Sequence, residues 1–393
     1  MKRPAGLLPL LLFAQFAGTS PWFAGNAIVD DLVRDWALAP SAVADVTAAV
    51  NLGFIAGTLV FALLTISDRY SPRLVFFVCA VLCAGSNFML LFMPSGLAAL
   101  LICRFATGFF LAGLYPVGMK IAASWYRDDL GRVLGFLIGA LVLGTAFPHL
   151  IRGLGGDLPW ADVIVAISLF ALCGGFAVLF GVGDGPLVSR SQGLDLRAAG
   201  LVFTSKRFRA SACGYFGHMW ELYSLWTFAP LLLAVYTQTH SLSLDLSIAT
   251  FCFIAAGAVG CGLGGLVSLK RGSAVVATSQ LAVSGLCCLF APFVMMLSAP
   301  FFIVFMLIWG ITVAGDSPQF STLNASSAPR ELVGSALTIV NCLGFSLTVI
   351  SIQLCSWLLP LVTVDYLPWL LLPGPLLGIW AMRPLLQRQQ QQS

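Results

Sequence analysis

Ala112-Gly113-Leu114-Tyr115-Pro116 returns 202 residues later as Ala314-Gly315-Asp316-Ser317-Pro318, both times deep in an apolar run. The same displacement sets Asp68-Arg69-Tyr70-Ser71 against Lys270-Arg271-Gly272-Ser273. A slightly larger one sets Trp22-Phe23-Ala24 against Trp226-Thr227-Phe228-Ala229. Any one match is weak. Together they share a displacement of about half the 393-residue chain, which describes a duplication.

What is duplicated follows from composition. The chain is 59% hydrophobic and 9% charged, whereas a soluble domain carries about 25% charged residues. Runs of ~20 apolar residues are long enough, as helices, to cross a ~30 Å hydrocarbon core. Lipid leaves no partner for bare backbone groups, so the spans are helices or a closed barrel. Unbroken apolar runs exclude the alternating strands of a barrel. Twelve spans are expected, at 6–28, 42–66, 74–94, 97–122, 132–151, 160–182, 208–236, 245–268, 274–297, 300–324, 332–358 and 366–383. This gives a six-helix bundle over 1–182, a polar basic linker over 183–207 and a second six-helix bundle over 208–393. All 11 cysteines fall in or beside spans, without metal-ligand spacing, and read as small packing residues.

The basic residues orient the spans. Lys2 and Arg3; Arg69 and Arg73; Arg127 and Arg132; Arg190, Arg197, Lys206, Arg207 and Arg209; Lys270 and Arg271; Arg330; and Arg383 and Arg388 all fall on one side of the twelve-span arrangement. Arg34 and Arg152 fall on the other. Loops rich in Lys and Arg stay cytoplasmic, so both termini and the linker are expected inside. The net charge of +4 belongs to these loops and gives no reason to expect nucleic acid. Parallel repeats about an axis along the membrane normal are a transporter architecture, with the substrate site near the midplane between the halves.

These residues resemble the major facilitator superfamily over essentially the whole chain. The family's loop after its second span reads roughly Gly-x3-Asp-Arg-x-Gly-Arg-Arg; here Leu64 to Arg73 keeps Asp68, Arg69 and Arg73 but has Leu64 and Ser71 for the two glycines. The fourth-span pattern Arg-x-x-Gln-Gly becomes Arg104-Phe105-Ala106-Thr107-Gly108. The antiporter pattern of the fifth span is degraded to Gly139-Ala140-Leu141-Val142-Leu143-Gly144, which removes the usual hint of direction. The resemblance implies that spans one, four, seven and ten line a central cavity. It also implies that Asp68, Arg69 and Arg73 gate its cytoplasmic side by bridging to neighbouring helix ends, that of span eleven in particular.

Few ionisable groups sit inside the spans, and each needs a cavity or a partner. Glu221 falls near the middle of the seventh span and Asp316 in the tenth. His218 is one turn from Glu221 on the same helical face, and a His–Glu pair there can hold and release a proton near neutral pH. Glu221, His218 and Asp316 are therefore the proton-coupling candidates, against a bland reading as hydrogen-bonded core groups. Arg104 cannot deprotonate; its partners could be Glu221, Asp316, an anionic substrate or carbonyls of the first span. Lys120 is expected to snorkel, and His149 with Arg152 to form an outer gate or an entry site for anions or, more blandly, a solvated loop edge. Gln15, Trp22 and Asn26, Tyr115, Tyr223 and Trp226, Gln319 and Asn341 complete a substrate-binding set. Gln15 and Trp22, seven apart, are placed on one face. Mostly apolar pockets with a few polar groups suit small organic solutes.

An intramembrane enzyme would show a nucleophile–base or metal constellation, and an ATP-driven pump a Gly-x4-Gly-Lys loop. Neither occurs. A transporter-derived sensor would usually add a soluble domain. The reading is a monomeric, multi-pass secondary active transporter of a small polar or anionic solute. It uses protons and no cofactor and sits among the lipids of a bacterial inner membrane. Proton-linked uptake or exchange is slightly favoured, because Arg104 could meet an anion; efflux of drug-like compounds or metabolites is the alternative.

Overall fold

The computed structural model describes residues 4, 6–126, 129–156, 158–187 and 193–390. Lys2, Arg3, Arg127 and Arg190 of the charge pattern lie outside the described residues, as does the side chain of Arg388. The described chain is all helical, without strands, and forms two compact units, Met1–Gly193 and Leu194–Ser393.

The first unit contains α1 (Leu7–Thr19), α2 (Ala24–Asp35), α3 (Ala42–Leu63), the short turn α4 (Ile66–Arg69), α5 (Pro72–Phe88), α6 (Leu97–Leu111), α7 (Tyr115–Trp125), α8 (Leu130–Leu154) and α9 (Trp160–Gly181). The second contains α10 (Arg197–Thr204), α11 (Lys206–Thr239), α12 (Leu246–Arg271), α13 (Ser273–Val294), α14 (Ala299–Gly315), α15 (Ser317–Ser327), α16 (Val333–Leu358), α17 (Leu367–Leu371) and α18 (Pro373–Gln390). Eleven of the described helical stretches are long and apolar enough to cross a membrane. α11, at 34 residues, is long enough but less apolar, because His218, Glu221 and a run of Gly, Ser, Tyr and Trp dilute it.

Besides the short break at Leu372 between α17 and α18, three of the crossing stretches are interrupted. The first breaks at a 3-10 turn, Ser20–Phe23, with Pro21 near its start, and then continues to Asp35. The first span therefore ends seven residues later than expected. Asp31 and Arg34 read as a loop, but Asp31 is 8% exposed and paired with Arg34 and Arg152. The other two interruptions are the repeated motif itself, between α6 and α7 and between α14 and α15. Pro116 and Pro318 each open a new helix, since proline has no N–H to continue the old one but suits a first turn. Leu114 stands at the N-cap of α7, and Asp316 holds the matching place before α15.

Close helix contact is also repeated. A Cβ at Gly108 of α6 would collide with the Val50 carbonyl of α3, and one at Gly310 of α14 with the Phe253 carbonyl of α12. Small residues let membrane helices approach backbone to backbone. The expected linker 183–207 contains a short helix, α10, which that reading did not foresee. Just before it, Asp195 accepts hydrogen bonds from the Arg197 guanidinium and backbone N–H, which hold its carboxyl below the usual range.

Candidate functional site

The buried ionisable groups of the second unit gather where α11 meets α13, α14 and the α14–α15 break. Glu221 is 1% exposed. Its Oε1 accepts from Ser284 Oγ at 2.5 Å, Trp309 Nε1 at 3.0 Å and Cys288 Sγ at 3.2 Å. One turn away, His218 Nδ1 lies 2.8 Å from Asp316 Oδ1, and Nε2 lies 2.8 Å from Ser317 Oγ. Both partners of this contact are almost wholly buried.

This corrects one expectation. His218 and Glu221 do share a helical face, but His218 pairs with Asp316, not with Glu221. Side chains three apart on α11 reach different neighbours: Glu221 is taken up by donors on α13 and α14, whereas His218 meets the acid that opens α15. The arrangement has a chemical consequence. Asp316 faces an imidazole, which can be charged or neutral, so the pair can exist with one proton more or fewer. Ser284, Cys288 and Trp309 were not singled out in the sequence; as isolated polar or aromatic residues in apolar runs they carry no local signal.

The remaining candidates of this unit lie on α11 itself and on α15 and α16, which pack against it. Tyr223 and Trp226 are buried, with ring centroids 5.3 Å apart, and Tyr223 also meets Phe345 at 5.3 Å. Gln319 on α15 is buried and Asn341 on α16 half-buried.

In the first unit, Trp22 Nε1 donates to Asn51 Oδ1 at 3.1 Å, and Asn26 Nδ2 donates to Thr47 Oγ1 at 2.7 Å. Two rungs thus tie the first span to α3, through Asn51 and Thr47, which sequence reading missed. Trp22 packs on Phe54, which in turn faces Tyr115 at 6.4 Å. Gln15 is 1% exposed and lies against Gly118, with no hydrogen-bond partner for either amide atom among the described residues. Gln15 stands on α1 and Trp22 within the 3-10 turn Ser20–Phe23, so the two do not lie on one continuous α-helix.

Arg104 is fully buried in this unit. Nη1 donates to the Pro21 carbonyl at 2.9 Å; Nη2 donates to Asn87 Oδ1 at 2.5 Å and Thr107 Oγ1 at 2.8 Å. Asn87 continues to Ser168 Oγ at 2.9 Å. Of the partners considered for Arg104, the first-span carbonyl is the one the structure shows. The guanidinium binds a carbonyl at the helix break that also accepts from the Ala24 N–H, and its network joins the first span to α5, α6 and α9.

At the end of the unit bearing the Asp-Arg loop, Asp68 Oδ1 meets Lys120 Nζ at 2.5 Å, and Lys120 also donates to the Ser67 carbonyl at 2.6 Å. Lys120 is therefore an ion-pair partner, not a snorkelling side chain. Arg69 Nε donates to Thr65 Oγ1 at 2.9 Å, and Arg73 Nε stands 3.8 Å from Asp184. At the opposite end, Arg152 grips Asp31 through both carboxylate oxygens. His149, one turn away, is 3% exposed, so the solvated reading of that pair is corrected: the helix continues past it and α2 packs beside α8.

A duplicated set of membrane-crossing helices, broken at matching places and carrying buried acids, defines a multi-pass membrane protein of the transporter class. Residues 10–352 match the Major Facilitator Superfamily, and the chain belongs to that family. The human organic anion transporter MFSD10 (TETRAN) has a similar crystal structure, with a TM-score of 0.72 over 97% of this chain and 100% of that one, at 16% sequence identity. At that identity the likeness is one of fold. No curated protein matches the chain.

Proposed function

We propose that the chain is a proton-coupled secondary active transporter that moves a small polar organic solute by alternating access. Family membership supports transport of a small solute. The observation that carries the coupling is the buried set Glu221, His218 and Asp316, in which the ionic partner of Asp316 is itself titratable. Such groups are costly in a membrane unless they serve a pathway or a partner. A fixed arginine partner would hold Asp316 charged throughout; a histidine lets its charge state change.

We assign Glu221 and the His218–Asp316 pair to proton handling. Gln15, Trp22, Asn26, Tyr115, Tyr223, Trp226, Gln319 and Asn341 are the substrate-facing set, and Asp68, Arg69 and Arg73 the gate. Arg104, with Nη1 and Nη2 bound to protein oxygens and Nε buried without such a partner among the described residues, acts as a clamp. The lean toward an anionic cargo, which rested on Arg104, loses its support; the organic anion description of MFSD10 is the argument on the other side. The protein is proposed to be a twelve-span monomer of a bacterial inner membrane, with both termini cytoplasmic and α11 as the seventh span.

The experiment is a thermal-shift screen of the purified protein against neutral, anionic and cationic metabolites, followed by transport of the hits into proteoliposomes. Accumulation that follows an imposed pH gradient, and stops when an ionophore collapses it, is the expected result; its sign distinguishes uptake from efflux. Equal rates with and without the gradient would remove proton coupling.

A further inference from the structure

We propose that the first unit holds one acyl chain of an anionic phospholipid in a groove on its outer face, with the lipid phosphate at Arg69. A cavity of about 430 Å³ opens between α3, α5 and α6, closed at one end by the turn Ile66–Ser71. Apart from Tyr70 and Ser71 at that mouth, no lining side chain carries a hydrogen-bonding nitrogen or oxygen. A polar solute would lose its water there without replacement, whereas a methylene chain would not.

The dimensions fit one leaflet. Leu74, Val78 and Leu82 of α5 recur every fourth residue and are 46%, 50% and 42% exposed, so they form one stripe directed away from the bundle core. From Pro72, where α5 begins, to Leu82 the helix rises about 15 Å, half of the ~30 Å hydrocarbon core. The inner wall includes Phe110, just before the α6–α7 break, and Phe61 of α3.

Charge selects the headgroup. Around the mouth, Asp68 is paired with Lys120 and Asp184 with Arg73. Arg69 is exposed, and its hydrogen bond is to the neutral Thr65; among the described residues it has no carboxylate partner. An anionic phosphate supplies that partner, and basic residues beside a membrane helix attract anionic lipid.

The test is native mass spectrometry of the purified full-length protein titrated with dioleoylphosphatidylglycerol or dioleoylphosphatidylcholine. The wild type is expected to retain one phosphatidylglycerol about fivefold more tightly than phosphatidylcholine, the worth of one basic contact at the membrane surface. Arg69→Gln should erase that preference while keeping the chain-dependent binding. Val78→Trp, which fills the groove, should lose both lipids, whereas Leu266→Trp on the exposed face of α12 should lose neither. If Val78→Trp does not fold, Leu82→Trp serves in its place. Equal wild-type affinity for the two lipids, an undiminished preference in Arg69→Gln, or normal retention by the groove-filling variant overturns the proposal. Displacement of the lipid by excess inorganic phosphate would also overturn it, because the site would then be one for a free anion.

Discussion

Arg104 shows how far a single residue's role depends on its neighbours. An arginine inside a span reads as a ligand for an anion, yet its donors bind Pro21, Asn87 and Thr107. Replacing it by leucine leaves Asn87 Oδ1 and the Pro21 carbonyl without this donor, at a cost of about 2–4 kcal/mol. We expect a lowered unfolding temperature in detergent, with any ligand found by screening still bound by the folded fraction. A variant of native stability that loses ligand binding would restore Arg104 to the substrate site. For the proton groups the expectations differ. His218→Gln keeps a polar side chain beside Asp316 but cannot carry the charge, so the pH dependence of transport should change shape while the protein stays folded. An unchanged pH profile would take His218 out of the coupling set.

Helices were read from the chain more easily than their breaks and partners. Apolar length is a local property, so most span limits could be placed within a few residues. The end of the first span could not, because Asp31 and Arg34 look like loop residues until Arg152, 121 positions away, is seen to bind Asp31. Glu221 and Asp316, proposed for coupling, were legible as rare acids in apolar runs. Their pairing was not, since the helix face of α11 tells which residues are neighbours along it and nothing of whether α13 or α15 lies opposite. Thr47 and Asn51 were passed over because neutral polar residues are unremarkable until Trp22 and Asn26 are found on them. The glycine contacts give a test at this scale. Gly108→Ala and Gly310→Ala each place a Cβ against a backbone carbonyl of the adjacent helix, where overpacking costs about 1–3 kcal/mol. Both should lower the unfolding temperature, while Gly85→Ala, with open space around its Cβ, should not. Equal effects at all three positions would argue that loss of glycine itself, not helix approach, is being measured.

At the scale of the whole chain, the duplication has diverged in its chemistry. Where the first unit has Leu114 at the α6–α7 break, the second has Asp316 at α14–α15. Of the buried polar side chains described in the second unit, the ionisable ones are His218, Glu221 and Asp316. The proposed topology places 193 and the C-terminus in the cytoplasm. Cysteines introduced at Gly193 should resist a membrane-impermeant thiol reagent in intact cells and react in inverted vesicles; labelling from outside would break the twelve-span arrangement. The most direct measurement of proton coupling compares wild type with Glu221→Gln in proteoliposomes, following accumulation down an imposed pH gradient beside substrate counterflow without one. A carrier that must load and release a proton at Glu221 loses gradient-driven accumulation in the variant and keeps counterflow. If Glu221→Gln accumulates normally and Asp316→Asn does not, the proton belongs to Asp316; if both variants accumulate as well as wild type, proton coupling through this buried set is contradicted.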